Sequence, residues 1–113
     1  MTSALPTATW LTVPDLVDLL GLSVSKVRTL IDDKELLGVR RDGIVVVPED
    51  FIRDGKVLAE LRGTLTLLMD AGFSDNEAMH WLLEADDSLA ARPIDALRAG
   101  RKAEVRRIAQ ALA

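Results

Sequence analysis

Apolar positions near the N-terminus recur at helical spacing in two short bursts. Leu16, Leu19 and Leu20 form the first; Val24, Val27, Leu30 and Ile31, at i, i+3, i+6 and i+7, form the second. Thr12 and Asp15 give a capping-box variant with Pro14 in the first turn, and Gly21 supplies a C-terminal stop. Ser23 is a good N-cap for the second burst. The pattern predicts helix, tight turn, helix. Two apolar runs, "LLGVRR" and "IVVV", then flank Asp42-Gly43, the signal for a two-residue type I′ hairpin in which both turn residues take positive φ. That turn sets Arg41 opposite Ile44 and Val39 opposite Val46, with Arg40 and Arg41 on opposite faces near the tip. Pro48 ends the strand, and "PEDFI" reads as a helix start interrupted at Gly55.

Helical spacing dominates the second half. Leu58, Leu61, Leu65, Leu68 and Met69 predict a helix over 57–71, stopped by Gly72. Ser74 and Glu77 form a full capping box ahead of a helix with Ala78, Trp81, Leu82 and Ala85 on one stripe. After the loop "EADDSLAAR", Pro93 opens a short helix closed by Gly100. A last amphipathic helix over 101–112 follows, with Val105, Ile108, Ala109 and Leu112 inward. Residues 1–9 lack periodicity and are expected to be a flexible tail. The expected fold is mainly α: a winged helix-turn-helix at 10–54, with a two-stranded β-hairpin as its wing, packed on a C-terminal helical bundle at 55–113.

Composition narrows the function classes. The chain has 113 residues, 49% hydrophobic and 28% charged, which is ordinary for one globular domain or two closely packed small ones. It has no cysteine, so disulfides, thiolate zinc sites and cysteine nucleophiles are excluded. No run approaches the ~20 apolar residues that span a bilayer, so a cytoplasmic protein without a membrane anchor is expected. The net charge of −4 argues against binding polyanions by bulk charge, so any nucleic-acid surface must be local. Two segments are locally basic. Residues 22–41 hold Lys26, Arg28, Lys34, Arg40 and Arg41 against Asp32, Asp33 and Glu35; residues 91–113 hold six basic side chains against Asp95 and Glu104.

On the second helix, at 100° per residue from Val27, Ser25 and Thr29 point nearly opposite the buried stripe, with Lys26 and Arg28 on the flanks. Hydroxyls suit base edges and cations suit phosphates, which is what a helix in the major groove presents. Arg40 or Arg41 at the hairpin tip could reach a neighbouring phosphate or the minor groove. Asp32 and Asp33, at the helix's far end, weigh against affinity. These charges also read as the solvated surface of a small helical domain. Trp81, Ile94 and Leu97 read as core.

Catalytic chemistry has little support. His80 stands in Glu77-x-x-His80, half of a carboxylate di-iron pattern whose other half is missing, and no nucleophile elbow or phosphate-binding glycine loop occurs. No metal, cofactor or enzymatic activity is expected. Thr2, Thr7 and Thr9 in the tail could accept phosphate from a Ser/Thr kinase, adding about −1.5 to −2 charges each beside a domain that needs phosphate affinity.

The run "LTVPDLVDLLGLSVSKVRTLIDDKELLGVRRDGIVVVPEDF" resembles the winged helix-turn-helix of the excisionase and multidrug-regulator superfamily. Joined to the rest, it looks like an actinobacterial family of small DNA-binding proteins with its own helical C-terminal domain. The specific part is the ordered set Trp81-Leu82, Arg92-Pro93-Ile94-Asp95-Ala96-Leu97 and Glu104-Val105-Arg106-Arg107. The resemblance implies double-stranded DNA as partner, contacted by Ser25, Lys26, Arg28, Thr29 and the wing arginines, in a transcriptional or nucleoid regulator. The C-terminal block also resembles the toxin-binding domain of a class of bacterial antitoxins, which implies the competing reading of a module that grips a protein partner. The last helix is too short for a long dimerising coiled coil, so a monomer or weak dimer is expected.

Overall fold

The structure is a computed structural model that describes residues 5–112. Strand β1 (Trp10–Thr12) leads into helix α1 (Val13–Leu20) and, across the turn Gly21-Leu22-Ser23, helix α2 (Val24–Asp32). The caps predicted from sequence are present. Asp15 N–H donates to the Thr12 hydroxyl at 3.4 Å and Thr12 N–H to the Asp15 carboxylate at 2.9 Å. Gly21 adopts the left-handed conformation at φ 65°, and Lys26 N–H donates to the Ser23 hydroxyl at 3.2 Å.

Strands β2 (Val39–Arg41) and β3 (Ile44–Pro48) form the hairpin in the expected register, Val39 opposite Val46 and Arg41 opposite Ile44. Its turn residues have φ 52° at Asp42 and 79° at Gly43, as a type I′ turn requires. The wing has a partner that the sequence did not reveal: β1 pairs antiparallel with β3, giving a three-stranded sheet in the order β1-β3-β2. Three residues are too few to show alternation, and Thr12 serves both as strand end and as helix N-cap. Ahead of the strand, residues 5–9 lie against the fold, with Leu5 and Ala8 packed on the core and the Thr9 carbonyl accepting from Glu49 N–H at 2.8 Å.

The expected helix at "PEDFI" is instead one 3₁₀ turn, Glu49–Phe51. A second hairpin follows, β4 (Ile52–Arg53) and β5 (Lys56–Val57), around Asp54-Gly55 with φ 53° and 72°. The same Asp-Gly chemistry that makes the wing thus cuts off the helix. Val57 is consequently a strand residue, and α3 (Leu61–Asp70) starts later than its apolar spacing suggests. The remaining helices are α4 (Asp75–Leu83), α5 (Pro93–Arg98) and α6 (Lys102–Ala111).

One continuous apolar cluster runs from Val13 and Leu16 through Leu36, Leu37 and Phe51 to Ile94, Val105 and Ala109. Four expected core positions lie outside it, each at or near the end of a helix: Leu19 (47% exposed), Val24 (48%), Leu112 (44%) and the exposed Ala85. Met79 and Leu83 fill the space under α4 instead, with Trp81 half-buried. Charged side chains also join the winged unit to the helices behind it. Arg98 donates to the Asp50 and Ile52 carbonyls at 2.8 and 3.0 Å, and Arg92 reaches Asp50 at 3.5 Å while gripping Asp95 at 2.8 Å. Lys34 pairs with Asp75 and Arg62 with Glu35, both at 2.9 Å.

Candidate nucleic-acid interface

Helix α2 is amphipathic in the sense that matters for recognition. Val27 is fully buried, and Ser25, Lys26, Arg28 and Thr29 are all exposed. Behind Val27 the helix rests on α1, so the outer stripe is presented on a fixed support. The Thr29 hydroxyl donates to the Ser25 carbonyl at 3.0 Å. Its only hydrogen is therefore used within the helix, and outward it offers lone pairs. Val24, assigned to the buried stripe by its spacing, is instead 48% exposed at the first position of α2. It extends the polar stripe with an apolar contact at the end of the helix that would lead into a groove. The missed signal was its place directly after the N-cap, where a side chain overhangs the support.

The wing arginines are both exposed and lie on opposite faces, as the register requires. A Cβ at Gly38 would meet Val45 at 3.0 Å and Ile31 at 3.5 Å, so the face carrying Gly38, Arg40 and Val45 is turned towards α2. Arg40 thus shares a side with the α2 stripe, its guanidinium folded back to the Gly43 carbonyl at 3.3 Å. Arg41 lies on the other face with Ile44, which is 55% exposed. There it borders an open groove of about 850 Å³ between residues 5–10, the wing tip and α4. Thr7, Trp10, Glu77 and His80 also line that groove. Glu77 is occupied with capping: the Ser74 N–H, and after it the Ser74 hydroxyl, hold its carboxyl below the ordinary carboxylate range. His80 Nδ1 lies 2.7 Å from Glu84, its partner one turn on.

At the C-terminal end of α2, Asp32 and Asp33 are exposed. Lys34 and Glu35, which follow, are neutralised by Asp75 and Arg62 across the junction. On α2 and the wing, the cations available to an external partner are therefore Lys26, Arg28, Arg40 and Arg41. Thr7 and Thr9 are exposed, and Thr2 lies outside the described residues.

Two helices across a glycine turn, followed by a hairpin that leans on the second, define the winged helix-turn-helix class. Residues 2–52 match the family model described as the wHTH domain of DNA-binding protein Rv2175c, and residues 58–113 match that of the Rv2175c C-terminal domain of unknown function. The chain belongs to the Rv2175c family, the actinobacterial winged-helix family it resembles in sequence. DNA-binding protein Rv2175c of Mycobacterium tuberculosis is 42% identical over 114 residues, an alignment covering 89% of this chain and 78% of the relative. The NMR structure of Rv2175c superposes with a TM-score of 0.87 at 39% identity, covering all of this chain and 86% of the other. No helix among the described residues is long and apolar enough to cross a membrane.

Proposed function

We propose that this chain binds double-stranded DNA as a transcriptional or nucleoid regulator, with α2 in the major groove and the wing on the flanking backbone or minor groove. One observation carries the reading: Ser25, Lys26, Arg28 and Thr29 form an exposed stripe on a helix anchored by the fully buried Val27, with Arg40 turned to the same side. Ser25 and Thr29 then meet base edges, Lys26 and Arg28 the phosphates that border them, and Val24 a thymine methyl. The family relative named as a DNA-binding protein supports the choice of partner. Thr7 shares a groove with Arg41, so a phosphate placed on it by a Ser/Thr kinase would compete with DNA for that side of the wing.

The test is a gel shift of genomic fragments at two salt concentrations, with wild type and the double variant Arg40→Ala/Arg41→Ala. Wild type should retard the fragments, and the variant should bind all sequences more weakly, with a salt slope flatter by about 0.9 for each phosphate it no longer neutralises. An unchanged slope removes the wing from the interface. No retardation by wild type at either concentration favours the competing reading, a protein-interaction module.

A further inference from the structure

The net negative charge of the chain hides a groove without acids on the side of the C-terminal domain. Helices α3 and α6 pack against each other and leave between them a cleft of about 420 Å³, lined by Arg62, Gly63, Thr66, Leu67, Arg106 and Gln110, with no carboxylate on its wall. Gly63 sits inside α3, where glycine costs about 1 kcal/mol relative to alanine. The Arg106 guanidinium lies on it, in the space that a Cβ would occupy. Among the described residues Arg106 has no ion-pair partner. Arg62 has only Glu35, and its side chain is still 68% exposed, the kind of pair that contributes little. One turn before Arg106 stands the exposed Lys102, and beside it the exposed Arg107. The single acid of this helix, Glu104, is held by Arg101 at 2.8 Å.

We propose that this cleft is a phosphodiester-binding site, which holds DNA backbone beside the duplex segment entered by α2. The inference rests on the DNA-binding reading above and gives the C-terminal domain a role in it. Arg62 donates to Glu35, three residues past the end of α2, so the cleft adjoins that end of the helix. A nine-residue helix is about 13 Å long and the major groove about 12 Å wide, so the end of α2 arrives at the bordering phosphates. Asp32 and Asp33 repel those phosphates, and the two guanidiniums of the cleft offset them. An acidic protein segment would find the same cations, but that occupant has no reason to lie at the end of α2.

The experiment measures affinity for a long duplex across a salt series for full-length wild type, Arg62→Gln/Arg106→Gln, and Glu35→Gln. Expected for the double variant is about tenfold weaker binding at low salt and a slope of log Kd against log salt flatter by about 1.8, because two phosphates are left without their cations. Glu35→Gln breaks the same ion pair but frees Arg62, so it should bind as tightly as wild type or tighter. Arg106→Lys, which keeps the charge, should retain most of the affinity that Arg106→Gln gives up. A wild type that binds, with the double variant keeping its slope, overturns the cleft and leaves the α2 reading intact. A loss in Glu35→Gln equal to that of the double variant also overturns it, since the ion pair and not the cation would then set the effect. A wild type that binds no duplex overturns both readings.

Discussion

The hydroxyl of Thr29 can do only one thing outward, because its hydrogen already goes to the Ser25 carbonyl. In the major groove it can accept from adenine N6 or cytosine N4 but has no hydrogen for guanine O6 or thymine O4. Thr29→Val keeps the shape, and the side chain stays outside the core, so stability should barely change. Fragments selected from a random pool by wild type should show a preference for adenine or cytosine at one position, and the variant should lose that preference alone, at a cost of about 1 kcal/mol for the single hydrogen bond. A variant with the wild-type base preference would show that Thr29 does not reach a base. That four hydroxyl and cationic side chains of α2 face outward was legible from periodicity alone, because Val27 fixes the phase of the helix. The Thr29 to Ser25 bond was not, since spacing of four allows it without requiring it. Neither was the exposure of Val24, which depends on where the supporting helix ends.

Among the elements, those with a local chemical signal were legible and those set by distant partners were not. The capping boxes of α1 and α4 and the wing hairpin each depend on residues within four positions, and each forms as the sequence indicates. Strand β1 exists only because β3 is there to pair with it, and the second hairpin overrides apolar spacing that continued through Val57. Helix α4 offers a direct check on a local signal. The Glu77 carboxyl is held below its ordinary range chiefly by the Ser74 N–H, so the charged form is favoured in the folded protein. Its stabilising effect is therefore complete above the ordinary carboxylate pKa of about 4.3 and fades as the pH falls through the depressed value. Thermal unfolding of wild type and Glu77→Gln should differ at neutral pH, with wild type more stable, and converge once the pH has fallen below the depressed value, where both side chains are neutral. A difference independent of pH would mean that shape and not charge makes the cap. Ser74→Ala removes the N-cap acceptor itself and should cost about 1 kcal/mol at neutral pH.

At the scale of the molecule, the boundary between winged unit and helical domain is bridged by apolar contacts and by arginine. The apolar cluster is continuous across it, and Arg98, Arg92 and Arg53 tie the 48–54 segment to α5 through backbone carbonyls and Asp50. Two family models match on either side of this boundary, yet the packing gives neither half a separate core. Such a chain should unfold as one cooperative unit. The protein carries its own reporters, since its two tryptophans fall one on each side: Trp10 in β1 and Trp81 in α4, both partly buried. Trp81→Phe leaves fluorescence from the wing sheet alone, and Trp10→Phe leaves it from the helical domain alone. Each variant's fluorescence transition in urea should coincide with its own far-ultraviolet circular dichroism, because each half then reports the unfolding of the whole. Arg98→Ala removes both of its bonds to the Asp50 and Ile52 carbonyls and leaves those acceptors in a part-buried setting, where an unmet partner costs about 1–3 kcal/mol. Because the apolar cluster still joins the halves, the loss should lower the midpoint for both tryptophans equally. If Trp10 and Trp81 instead reported separate midpoints in that background, the arginine and not the shared core would be what couples the two halves, and α2 would no longer be held rigid against the C-terminal domain.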